Sequence, residues 1–228
     1  MSQHTNTTRP PTSHRTARAK TGWPVITGLL LLSALPVIGG ALRLGEVGAD
    51  PASSPNVVAA AAIVTHIVAM TVFCLLGAFQ FSPALRTRPR WHRTAGRTLI
   101  PAGFLGAASA IWLAVVFGGP PDEFATAIVR LVFAAAMAVF LVEAVIAIRR
   151  RDFTAHGAWM TRAYALAVTG GTQALLSIVW AIPFGEPDAV GETWVVAAGF
   201  LINAVVAEVL IRRRAARRMP RISAHATP

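Results

Sequence analysis

The sequence predicts an all-α membrane protein: a polytopic bundle of six transmembrane helices with both termini in the cytoplasm. Three observations carry that reading. The 228 residues are 54% hydrophobic and only 14% charged, with a mean hydropathy of +0.56. A soluble domain carries roughly a quarter charged residues. Six apolar runs reach the length of about 20 residues that a bilayer core demands of a helix. The connections between those runs alternate between arginine-rich and acidic.

Taken in order, residues 1–22 are polar and rich in Thr, Ser and Arg, the composition of a disordered basic tail. Apolar runs follow at about 24–43, 57–82, 98–118, 125–148, 161–184 and 193–211. None alternates with period two, and each is too long for a barrel strand. Backbone groups in lipid must be satisfied internally, so the runs must be helices. The first run ends in small residues, as a signal peptide does. Its apolar stretch exceeds the usual 7–15-residue signal core, so it reads as a retained span. The transmembrane domain is thus 23–212, followed by a basic C-terminal tail at 213–228.

Arginine position sets the orientation. The first tail carries Arg9, Arg15, Arg18 and Lys20, and the second connection Arg86, Arg88, Arg90, Arg93 and Arg97. The fourth carries Arg149, Arg150, Arg151 and Arg162, and the last tail Arg212, Arg213, Arg214, Arg217, Arg218 and Arg221. The remaining connections hold Glu46, Asp50, Asp122, Glu123, Glu186, Asp188 and Glu192, with no lysine or arginine. Positive residues stay inside, so both termini face the cytoplasm. The formal net charge of +11 therefore serves topology and contact with the lipid bilayer, not nucleic acid. Trp23, Trp91, Trp159 and Trp194 fall near span ends, where an amphipathic ring prefers the interface. A single cysteine, Cys74, leaves no internal disulfide and no thiolate metal cluster.

Within the membrane, close approach of small residues drives helix association. Gly103 with Ala107, Gly106 with Ala110, the series Ala163, Ala167 and Gly171, and Gly170 with Ala174 supply such ridges. Ionisable groups in hydrocarbon are costly and mark candidate sites. They are His66, Arg130, Glu143 and Glu208, joined by the uncharged Gln80, Gln173 and Asn203. His66 lies about 14 Å along its helix, near mid-membrane, at 1.5 Å per residue. It shares one helix face with Met70, Phe73, Gly77 and Gln80, a face expected to point into the bundle. A neighbouring helix, a haem, a quinone or a proton path are all compatible partners. Arg130 either snorkels outward or meets a carboxylate or propionate inside. Glu143 and Glu208 lie near the cytoplasmic ends, where arginines are available as partners.

The two cytoplasmic connections, "RPRWHRTAGR" and "RRRDFTAHGAWMTRAY", each place a histidine before arginines: His92 with Arg93 and Arg97, and His156 with Arg162. This is a weak internal repeat of a helix–loop–helix unit. If the hairpins pack side by side, two imidazoles come to one depth and suit a b-type haem with arginines on its propionates. Anionic lipid headgroups are an alternative partner of those arginines.

Three stretches carry a wider likeness: "HIVAMTVFCLLGAFQFSPALRTRPRWHRTAGR", "RRRDFTAHGAWMTRAYA" and "NAVVAE". They hold His66, Gly77, Gln80, Phe81, Arg86, His92, Arg93, Gly96, Arg97, His156, Trp159, Met160, Arg162, Asn203 and Glu208. With them the chain resembles a family of bacterial predicted membrane proteins, domain of unknown function 2306, over roughly 55–212. Gly157 stands where a basic residue is expected, which weakens an anion contact there. The resemblance implies the architecture and which residues matter, and no particular reaction.

Three functions remain open. Haem-linked electron transfer draws on His66, His92 and His156, although His66 has no histidine at its own depth and Met137 is its only companion. A small-molecule or proton-coupled carrier would line a path with His66, Arg130, Gln173 and Asn203, yet no broken helix at mid-membrane is evident. A non-catalytic assembly or lipid-binding factor is the third. Nucleophile elbow, zinc-helix and phosphate-loop motifs are absent from the sequence.

Overall fold

A computed structural model of the chain describes residues 22–50, 53–82, 85, 88–118 and 123–218. The proposed disordered tail lies almost wholly outside the described residues. Seven helices follow in order: α1 Trp23–Ala49, α2 Val57–Gln80, α3 Pro89–Val116, α4 Phe124–Arg149, α5 Phe153–Ala167, α6 Thr169–Phe184 and α7 Ala189–Arg218. They make six spans long and apolar enough to cross a membrane, α5 and α6 counting as one. Even parity brings the start of α1 and the end of α7 to the same, arginine-rich end of the bundle. The opposite end carries the acidic connections.

Local chemistry fixes the helix ends. Asn56 caps α2 by accepting from Ala59 N at 2.9 Å. Asp152 caps α5, its Oδ1 accepting from Thr154 N at 3.1 Å and Ala155 N at 2.8 Å. Both side chains satisfy N–H groups that have no intrahelical partner. Gly185 stops α6 at φ 76°, a backbone region suited to glycine.

Two helices begin well before their apolar runs. The segments expected as basic connections belong to the first turns of α3 and α5, so His92 and His156 are helical. Arginine and alanine are good helix formers, and Asp152 supplies the start signal. At the other extreme, α7 continues through Arg212, Arg213, Arg214 and Arg217 beyond the expected span end.

The bundle is inverted relative to a soluble protein. Ala59, Ala78, Ala107, Ala144 and Ala163 are buried, whereas Leu31, Leu105, Val132, Val139 and Val205 are exposed. Lipid solvates the large apolar side chains, so small residues occupy the contacts between helices. Gly103 is one such contact: a Cβ there would fall 2.8 Å from Phe73 and 2.9 Å from Leu141. Gly77 is another, its missing side chain leaving room for the Tyr164 ring. The expected inward face of α2 is therefore realised at Phe73 and Gly77, both buried.

The fifth span departs from expectation. It is broken at Val168, and Gly171 N donates to Val168 O at 3.1 Å, one residue short of the α-helical partner. The cause is side-chain competition for the Ala165 carbonyl. Thr169 Oγ1 donates to it at 3.1 Å and Asn203 Nδ2 at 3.0 Å. Polar groups inserted into a helical hydrogen-bond ladder are a standard source of a kink. Helix α1 meets the break. Pro36 has no N–H, which leaves the Leu32 carbonyl without its helical donor. Gly171 rests directly against that carbonyl, and Gly170 against the Pro36 ring.

Candidate functional site

The broken span, α1 and the mid-sections of α2, α3 and α4 surround a cavity of about 410 Å³. Its lining runs from Cys74 and Leu166 to Phe117, Gly118 and Glu123, from the bundle middle toward the acidic end. Most of the wall is apolar, with Met70, Leu113, Phe133, Met137 and Phe200 among its side chains. Phe133 and Phe200 stack at 4.3 Å with an interplanar angle of 8°.

His66 is the deepest ionisable group in the wall. Its Nδ1 lies 3.1 Å from Gly106 O and 3.3 Å from Ser109 Oγ, both on α3. A carbonyl can only accept, so Nδ1 carries the proton and Nε2 carries the lone pair in the neutral ring. Among the described residues Nε2 has no hydrogen-bond partner. Gly106 makes this approach feasible, because its missing Cβ leaves space for the Met70 thioether.

Gln173 and Thr169 enter the wall from the start of α6. Gln173 Nε2 donates to Val196 O at 3.3 Å, which turns its Oε1 away from that contact. Arg130 marks the acidic end of the cavity and pairs with Glu192 of α7 at 2.6 Å. One turn away, Thr126 and Thr193 share a hydrogen bond of 2.6 Å, so α4 and α7 are clasped twice at this end.

Sequence reasoning thus brought His66, Arg130 and Gln173 to one site, and Met137 with them. Asn203 stands behind the wall. It receives Thr172 Oγ1 at 2.9 Å and donates to Ala165 O and, at 3.2 Å, to Thr169 Oγ1, so it holds the break. Thr169 and Ser109 escaped the sequence reading, and Glu192 entered it only as an acidic residue of a connection; Gly170 and Gly171 beside Thr169 were read as packing ridges alone.

The remaining predicted residues lie elsewhere, toward the arginine-rich end. Arg162 Nε and Nη2 donate to the two carboxylate oxygens of Glu208 at 2.5 and 3.0 Å. The guanidinium also sits 4.5 Å over the Trp159 ring. Glu208 therefore pairs with an arginine as expected, and Arg162 serves that pair. Glu143 is half-buried and makes no ion pair among the described residues. Gln80 ends α2, half-buried. Arg93 and Arg97 are exposed on the first turns of α3. His156 Nδ1 bonds Ala144 O of α4 at 2.9 Å. Helix α3 packs on α2 and α4, whereas α5 packs on α4, α7 and α2. His92 and His156 thus stand on helices that share at most marginal backbone contact.

The sequence matches the family model described as "Predicted membrane protein (DUF2306)" over residues 63–211. The chain belongs to this family. The match spans α2 to α7 and so includes every residue of the wall except those of α1. Comparison with curated proteins and with solved structures finds no match.

Proposed function

We propose that this multi-pass membrane protein binds a small, largely apolar molecule in the cavity, as a carrier. The supporting observation is a single one. A broken span, a histidine with an unpartnered nitrogen and an amide side chain converge on a mostly apolar cavity. Discontinuous helices near mid-membrane are a recurrent way to build a carrier site. Ligand sites in general are apolar clefts with a few convergent polar groups.

Orientation belongs to the same proposal. With the arginine-rich end in the cytoplasm of a bacterial inner membrane, the cavity approaches the outer face. Alkaline phosphatase fused after Gly118 is then active and fused after Arg90 inactive; the reverse pattern overturns the orientation.

The test of binding uses N-phenyl-1-naphthylamine, whose fluorescence rises in apolar surroundings. Protein in nanodiscs gives a saturable rise above empty nanodiscs, and the cavity-filling variant Ala110→Trp loses it. No saturable component in the wild-type protein overturns the proposal.

A second reading, b-type haem, draws support from His66 and the buried Met137 lining one cavity with Arg130 beside it. Histidine and methionine are a known axial pair, and an arginine suits a propionate. The reduced-minus-oxidised spectrum of the same preparation decides it. A b-type α band lost in His66→Leu supports haem, and a colourless preparation from haem-replete cells removes it.

A further inference from the structure

The polar atoms of the wall specify a ligand class. Most of the wall's hydroxyl and thiol protons are already committed. Ser33 Oγ donates to Leu29 O at 2.9 Å, Thr169 Oγ1 to Ala165 O at 3.1 Å, and Cys74 Sγ to Ala167 O at 3.5 Å. Thr71 keeps a hydroxyl that can give or take. Among the described residues three acceptors of the wall remain without a partner: His66 Nε2, Gln173 Oε1 and the Glu123 carboxylate. Arg130, the one cation among the described wall residues, is neutralised by Glu192 through a single contact of 2.6 Å.

We infer that the cavity is selective for an uncharged, hydroxyl-bearing aromatic molecule, of the phenol or quinol class, that donates a hydrogen bond to His66 Nε2. This rests on the proposed binding function and names its ligand. A buried acceptor left unpaired is costly, so a ligand that supplies the missing proton gains and one that cannot loses. A carboxylate has no proton to give the neutral imidazole, and it would face Glu123 besides. Phe133 and Phe200, stacked on each other, add aromatic side chains to the wall, which suits an aromatic ligand. No redox step is part of this inference.

Three probes separate the possibilities: 4-octylphenol, its methyl ether 4-octylanisole, and octanoate. Binding to wild-type protein in nanodiscs is measured by equilibrium dialysis against empty nanodiscs. The phenol binds saturably and about tenfold or more tighter than the ether, the difference expected for one buried hydrogen bond. Octanoate shows no saturable binding. In His66→Leu the phenol falls to the level of the ether. Equal binding of phenol and ether, or preferential binding of octanoate, overturns the ligand class while leaving a binding cavity in place. Absence of saturable binding by all three, together with no response to N-phenyl-1-naphthylamine, overturns the cavity function itself. The comparison of phenol with ether needs only the wild-type protein, so a poorly folding His66 variant does not spare the inference.

Discussion

Phe73 and Phe133 are both inward-facing aromatic residues of this bundle, in opposite surroundings. Phe73 fills its space: with Leu141 it closes on the notch left by Gly103, and the Tyr164 ring centroid lies 6.1 Å away. Tyr164 in turn packs on Phe81 at 4.9 Å and donates from its hydroxyl to Cys74 O at 2.8 Å. Phe133 borders the 410 Å³ cavity and, among the described residues, touches ring to ring only with Phe200. The half of the bundle nearer the arginine-rich end is closed by interlocking aromatics, and the half nearer the acidic end is hollow. Van der Waals contact is the main force holding helices together in lipid. A hollow therefore forfeits stability that the sealed half collects. The polar groups around the hollow give a reason for that loss; in the aromatic seal the Tyr164 hydroxyl is already spent on Cys74 O.

The largest expected effect sets these two aromatics against each other. Phe73→Ala leaves a void in a filled region and costs about 3–5 kcal/mol of unfolding free energy. Phe133→Ala enlarges space that already exists and costs about 1 kcal/mol or less, since few contacts are lost. Unfolding of the detergent-solubilised variants measures both. Equal losses would mean that the cavity closes in solution, and the contrast between the halves would fail.

A smaller effect separates tight from open glycines. At Gly77 a Cβ would fall 2.5 Å from one Tyr164 ring carbon and 2.8 Å from another. Gly77→Ala forces the ring to move and endangers its bond to Cys74 O, at a cost of about 1–3 kcal/mol. At Gly157, on α5, nothing lies within 4 Å of an added Cβ. Gly157→Ala stabilises by about 0.5–1 kcal/mol through helix propensity. Melting temperatures of the two variants should move in opposite directions, and a loss at both positions would contradict the packing described here.

How much of this was legible beforehand depends on which physical signal encodes it. The six spans and the pairing of Glu208 with an arginine were readable, because bilayer thickness and charge alternation write themselves into runs and connections. His66, Arg130 and Gln173 were readable as costly groups in hydrocarbon, and they share the cavity. The break at Val168 was not readable. Neither proline nor glycine occupies that position. The break arises from Asn203, distant in sequence, reaching the Ala165 carbonyl beside Thr169. A tertiary contact of that kind leaves no local pattern. For His92 and His156, similar spacing in two hairpins does not fix which helices become neighbours: α3 packs most on α2, and α5 most on α4.

The smallest expected effect concerns the ion pairs that close each end of the bundle. Arg162 and Glu208 join α5 to α7 through two hydrogen bonds, with side chains 23% and 39% exposed. Arg130 and Glu192 join α4 to α7 through one, with side chains 50% and 43% exposed. Two parallel bonds from a planar guanidinium add geometric order that a single contact lacks. Removing Arg162 also loses the face it presents to Trp159. Exposed single pairs contribute only about 0–1 kcal/mol, because water and salt screen them and two long side chains must be held still. Arg162→Met should therefore destabilise by about 1 kcal/mol, and Arg130→Met by about 0.5 kcal/mol or less. Double-mutant cycles with Glu208→Gln and Glu192→Gln isolate each pair from the packing of its stems. A larger coupling for Arg130 with Glu192 would place the stronger fastening at the hollow end, and the clasp there would have to be counted among the forces that keep the cavity shaped.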